Sequence, residues 1–114
     1  MKKQNKLFLK KNPLLKDFQQ FIKDQENERG FSTDLFHYCL MMGEEFGELF
    51  KAIRKSEGHD IDQKSTIGSI EEELADVFIF LCASANNYNL DLEKAFRNKQ
   101  GLNAKRVWRK ANNG

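Results

Sequence analysis

The sequence predicts an all-α, single-domain protein, on three observations. Apolar residues recur at helical spacing in four separate runs. No segment alternates apolar and polar residues as a half-buried strand would. Pro13 is the only proline among 114 residues, so nothing interrupts those runs from within. At this length one core is expected and not two. Short connections that keep neighbours antiparallel point to a four-helix-bundle-like arrangement.

The first helix is read from Asn12 and Pro13, a cap followed by a proline at the first helical position. It continues through Leu14, Leu15, Phe18, Phe21, Ile22 and Gln25 until Gly30. The second runs from Thr33 or Asp34 to Lys55. Its expected core stripe is Leu35, Cys39, Met42, Phe46, Leu49, Phe50 and Ile53, centred near Phe46. Residues 56–68 are polar and glycine-flanked and form the connection. Ser69 with Glu72 is a capping box opening the third helix, which carries Ile70, Leu74, Val77, Phe78, Leu81 and Ala85 to the core. Asn86, Asn87 and Asn89 end it. Asp91 caps a fourth helix through Leu92, Ala95 and Phe96, with Gly101 either ending it or tolerated inside it.

Composition bounds the function. A net charge of +2 gives no reason to expect a nucleic-acid polymer as partner. The basic start, residues 1–11, is a solvated arm or one that reaches over an anionic ligand or a neighbouring subunit, and residues 109–114 form a fraying tail. No apolar stretch approaches the ~20 residues that span a bilayer, and there is no signal-peptide pattern, so a cytoplasmic protein is expected. Cys39 and Cys82 lie in apolar helical runs, outside any CxxC or Cys/His cluster, and read as reduced core thiols. Ten phenylalanines exceed what a small four-helix monomer readily hides, so a homo-oligomer is expected.

Two acidic groups on consecutive helices carry the chemistry. Glu44, Glu45 and Glu48 occur in GEEFGELFKAI, and Glu73 and Asp76 in EEELADVFIFL. Carboxylates three or four residues apart project from one side of a helix, so each segment offers a two-oxygen claw. Glu73 and Asp76 are bracketed by apolar positions, with no Lys or Arg three or four residues away to pair them. Such carboxylates need a proton or a cation. An oxygen-only set selects a hard ion, Mg²⁺ first and Mn²⁺ second, and argues against structural zinc. Neither His37 nor His59 completes the Glu-x-x-His motif of a di-iron bundle.

The string EExGEL with the later EELADV resembles the EExxE and ExxD halves of the MazG-like nucleotide pyrophosphohydrolases, in the all-α NTP pyrophosphatase superfamily. FQQFIKDQENERGF resembles that family's first helix. Lys99, Asn103, Arg106 and Trp108 resemble its C-terminal KxxxNxxRxW string. The resemblance covers most of the chain. It implies Mg²⁺-dependent hydrolysis of (deoxy)nucleoside triphosphates to a monophosphate and pyrophosphate, in house-cleaning or pool balancing, by a dimer or a dimer of dimers. Carried over, Glu45, Glu48, Glu73 and Asp76 hold Mg²⁺, and Glu44 orients or deprotonates the attacking water or acts from behind the ligands.

Lys99, Asn103 and Arg106, at i, i+4 and i+7, share one helix side if Gly101 does not break it, and suit phosphate oxygens plus a sugar or base edge. His37 is a candidate base contact, and Trp108, Phe31 and Tyr88 are candidates for a stacking wall. Two other readings stay open. One is a narrower relative, a dUTPase or a phosphoribosyl-ATP pyrophosphohydrolase. The other is a non-catalytic helical oligomerisation module.

Overall fold

The computed structural model describes residues 7–30, 34–62, 64, 67–107 and 109. They form α1 (Leu15–Arg29), α2 (Leu35–Ser56), α3 (Ile70–Asn87) and α4 (Leu92–Ala104), with no strand among the described residues. Three of the four N-termini are capped as read: the side chains of Asp34, Ser69 and Asp91 accept from the backbone N–H of Phe36, Glu72 and Lys94. At the end of α1, Gly30 takes the left-handed conformation at φ 67°, which costs glycine nothing.

The start of α1 differs from expectation. The cap is Leu14, not Asn12, and Pro13 lies outside the helix. Asn12 itself turns left-handed at φ 56°. The end is held instead by Asp17, whose carboxylate accepts from Leu14 N at 2.7 Å and pairs with Lys10 at 3.2 Å. Lys10 therefore belongs to the helix start and not to a free arm; residues 1–6 of that arm lie outside the described residues.

α3 packs between α2 and α1, and α4 docks on α1. The centre is a cluster of Ile22, Tyr38, Cys82 and Ala83, with Phe18, Phe21, Phe78, Phe80 and Leu92 around it. Phe18 meets Phe78 edge to face at 5.4 Å, an arrangement worth about 0.5–1.5 kcal/mol beyond area burial. Gln19 is buried and fully satisfied. Its amide donates to Asn86 Oδ1 and Leu90 O, its Oε1 accepts from Leu92 N, and Asn86 Nδ2 donates to Gln19 O. One side chain thus ties α1 to the α3–α4 turn and satisfies an otherwise orphaned N–H in the first turn of α4.

The buried side of α2 only partly overlaps the predicted stripe, of which Leu49 is buried and Met42 and Phe46 half-buried. Tyr38, Leu49 and Ala52 are buried and Met41, Met42, Glu45 and Glu48 half-buried, which centres the packed face on Glu45, about 90° round the helix from the expected centre. Much of the predicted stripe is open: Cys39 is exposed, as are Phe50 and Ile53. On α3, Leu74 and Leu81 are likewise exposed, whereas Val77 and Ala85 are buried as expected. Cys82 is a buried thiol; Cys39 is not.

Candidate metal centre and adjoining cavity

The rotation of α2 carries its acids into the seam with α3. The two helices run antiparallel, Tyr38 and Met41 lying across from Ala83 and Phe80, and Ala52 across from Ile70. Between these levels, one carboxylate oxygen each of Glu45, Glu73 and Asp76 lies within 4.8 Å of the others. Glu48 stands against Glu73. Glu44, one position from Glu45, faces solvent.

This grouping is electrostatically unfavourable by itself. Burial, then the charges of Glu48, Asp76, Glu73 and Glu44, raise the Glu45 carboxyl above its ordinary value. Burial, followed by Glu48, Asp76 and Glu72, does the same for Glu73. Glu45 Oε2 and Glu73 Oε2 are buried without a hydrogen-bond partner. Among the described residues no cationic side chain ion-pairs with any of the four acids. Orphaned, converging carboxylate oxygens are the donor set that a hard divalent cation takes, so these residues fit such an ion. Gly68 adds a close approach the sequence did not single out. A Cβ there would collide with Glu73 Oε1, so the glycine leaves room for that carboxylate.

One turn along the same seam, beyond Glu45 on α2 and Asp76 on α3, a cavity of about 240 Å³ opens among three helices. α3 supplies Ile79, Phe80 and Ala83, α2 supplies His37, Tyr38 and Met41, and α1 supplies Ile22, Gln25 and Glu26. Tyr38 is buried, and burial, then the Glu26 carboxylate beside its hydroxyl, pushes that hydroxyl up to about 12. Of the expected base contacts, His37 lies on this cavity, at its exposed side. Tyr88 does not line it and is an exposed cap of α3. Phe31 and Trp108 lie outside the described residues.

Residues 36–111 match the MazG nucleotide pyrophosphohydrolase domain family. The chain belongs to the MazG nucleotide pyrophosphohydrolase family. Among solved structures it is similar to iMazG from Vibrio DAT 722, at 34% identity and a TM-score of 0.62, over 80% of this chain and 98% of that one. No curated protein matches. The four-helix MazG fold therefore stands, as does membership of a family of metal-dependent hydrolases that act on the pyrophosphate bonds of nucleoside triphosphates. No helix among the described residues is long and apolar enough to cross a membrane.

The C-terminal string of the MazG domain is arranged differently from the reading of one continuous face. Gly101 sits inside α4, but the helix ends at Ala104. Lys99 and Asn103 therefore share a helix side while Arg106 lies beyond the end. α4 begins at the Asn86 end of α3, about 15 Å along the helix from Asp76 at 1.5 Å per residue. No hydrogen bond or ion pair among the described residues joins Lys99, Asn103 or Arg106 to the acids. Asn103 Oδ1 is buried without a partner. Sequence reasoning missed the contribution of α1 to the cavity. Its signal was faint: polar Gln25 and Glu26 one turn after the apolar Phe21 and Ile22.

Proposed function

We propose that the chain hydrolyses nucleoside triphosphates between the α and β phosphates, with Mg²⁺ held by Glu45, Glu48, Glu73 and Asp76 and Mn²⁺ as a substitute. The observation that carries this reading is the convergence of three carboxylate oxygens within 4.8 Å, two of the acids with an orphaned buried oxygen. Bound there, the cation would supply charge neutralisation for the triphosphate and acidify water. The chain's own residues do the rest. Glu44, exposed beside Glu45, orients the attacking water, takes its proton on a carboxylate oxygen or acts from behind the ligands. The nucleoside enters the cavity one turn away, between the apolar faces of Phe80, Ile79 and Met41, with His37 at the rim. Lys99, Asn103 and Arg106 hold the phosphates and a sugar or base edge, and Trp108 stacks on the base. Deoxynucleotides are the preferred substrates, in a cytoplasmic house-cleaning role.

The working unit is a dimer or a dimer of dimers. Supporting this, Phe36, Leu40 and Phe50 on α2 are 71%, 60% and 58% exposed, and Leu74 and Tyr88 on α3 are 53% and 59% exposed. So large an apolar surface calls for cover, and a second copy of the chain is the natural one. Within a dimer, a partner's α4 is available to bring its Lys99–Asn103–Arg106 string to the acids. The domain is taken as the whole of residues 1–114, with a basic arm and a short tail.

The test is product analysis of nucleotide turnover with and without Mg²⁺. Monophosphate and pyrophosphate are expected, only with the metal. Diphosphate with inorganic phosphate, or no turnover of any nucleoside triphosphate, overturns the reading.

A further inference from the structure

α4 carries Lys99 and Asn103 and aims Arg106 just past its end, yet little holds it along its length. Of its thirteen residues, Leu92 and Asn103 alone are not exposed. Phe96 and Leu102 are 63% and 58% exposed, so no buried apolar stripe fixes the helix. Its anchor is its first residue. Leu92 packs against the central cluster, and its N–H donates to Gln19 Oε1 at 2.9 Å. Gln19, 7% exposed, closes the rest of the joint: its Nε2 donates to Leu90 O at 2.9 Å and to Asn86 Oδ1 at 3.2 Å. One planar amide thus grips the chain on both sides of the Asp91 cap and sets the direction in which α4 leaves. A helix held at one end is a lever. Lys99 and Asn103 lie roughly 10 and 16 Å from Leu92 along the axis, so a tilt of about 10° there moves Asn103 by roughly 3 Å. A hydrogen bond to a phosphate or sugar oxygen spans about 2.7–3.2 Å, and such a shift breaks it.

We propose that Gln19 is a positioning residue for nucleotide binding: from α1 it fixes the direction of α4, and with it the place of Lys99, Asn103 and Arg106, without touching the substrate. This role rests on the nucleotide reading above and holds whichever copy's acids the string serves. An amide suits the task because it presents an acceptor and a donor from one rigid plane, and Leu92 N needs the first while Leu90 O needs the second. Of side chains of similar length, Glu only accepts, Lys only donates and Met does neither. The joint is remote from the metal centre. Asn86, its partner on α3, lies about 15 Å along that helix from Asp76, so loosening the joint leaves the acids where they are.

Gln19→Met keeps the length of the side chain and removes its bonds to the joint. With the deoxynucleoside triphosphate that the wild type turns over fastest, KM should rise about ten-fold or more, the effect of losing one hydrogen bond to a charged group. kcat, helicity by circular dichroism and the Mg²⁺ concentration for half-maximal turnover should stay close to wild type. In the Gln19→Met background Arg106→Ala should raise KM no further, because that contact is already lost. Gln19→Glu still accepts from Leu92 N at the anion-favouring start of α4, should give an intermediate KM, and serves where Gln19→Met does not fold. An unchanged KM in a folded variant, full additivity with Arg106→Ala, Mg²⁺ affinity lost in step with nucleotide affinity, or failure of both variants to fold overturns the role of Gln19 and leaves the pyrophosphohydrolase reading standing. An unchanged KM in Arg106→Ala alone takes the string out of nucleotide binding, and the role of Gln19 falls with it.

Discussion

Replacing Glu45 by Gln should make the metal-free protein more stable while abolishing turnover. Carboxylate oxygens of Glu45, Glu73 and Asp76 lie within 4.8 Å of one another. At that separation one pair of unit charges repels by about 1 kcal/mol in water and by about 3.5 kcal/mol at an effective dielectric constant of 20. Glu45 is only half-buried, so screening favours the lower part of this range, and relief of about 1–2 kcal/mol is expected. For a domain of this size that raises Tm by about 4–8 °C. The sign with pH follows from the raised carboxyls of Glu45 and Glu73. Their folded-state values lie above the ordinary 4.5, so stability is fully present below pH 4.5 and is lost as pH rises through the raised values. The advantage of Glu45→Gln should therefore be present at pH 7 and vanish near pH 4. Thermal unfolding followed by circular dichroism, in EDTA and in Mg²⁺, measures this directly. At a Mg²⁺ concentration 100 times Kd the wild type should gain about 2.7 kcal/mol, roughly 10 °C, and the variant should lose most of that gain. A variant less stable than wild type in EDTA at pH 7, or one that keeps both the Mg²⁺ shift and turnover, would refute the electrostatic argument.

Other perturbations separate the parts of the molecule. Asp76→Asn should abolish nucleotide hydrolysis without loss of helicity, and an active variant would remove Asp76 from the ligand set. Gly68→Ala should displace the Glu73 carboxylate and raise the Mg²⁺ concentration needed for half-maximal activity; an unchanged metal dependence would mean that Glu73 Oε1 is not needed as a ligand. Gln19→Ala leaves Leu92 N, Leu90 O and Asn86 Oδ1 short of their partners while Asn86 Nδ2 keeps the backbone carbonyl of residue 19, so a loss of about 2–4 kcal/mol is expected in denaturant unfolding. Arg106→Ala should raise KM with Mg²⁺ affinity intact, and calorimetry showing the opposite split would reassign the residue.

Features set by local chemistry could be read from the sequence. Asp34, Ser69, Asp91 and Gly30 each act through bonds or dihedrals within a few residues, and each marks a helix end where expected. The exception, Asn12, is also local: Asp17 reaches back to Leu14 and competes successfully for the helix start. The acids were legible because three- and four-residue spacing and the lack of a same-helix cation hold whatever α2 and α3 pack against. The cavity was not, because it depends on the register of three helices. Tyr38 becomes its polar floor only once α1 brings Glu26 beside it.

The rotated face of α2 connects fold and function. An apolar stripe centred near Phe46 would bury best if turned towards α3, yet the packed face is centred on a carboxylate. Burying Glu45 and Glu73 without a partner is unfavourable, and their raised proton affinity is the visible consequence. A cation at the seam reverses that balance, since it turns mutual repulsion into shared attraction. Phe36, Leu40, Phe50 and Leu74, which the seam leaves exposed, form an apolar surface that a second copy of the chain would bury in the oligomer proposed above. The helix therefore carries two faces, one that holds the acids at the seam and one that is apolar and exposed. Periodicity identifies only part of the second, since Phe36 and Leu40 lie outside the stripe centred near Phe46. The first is recognised only by asking where charges without partners would have to go.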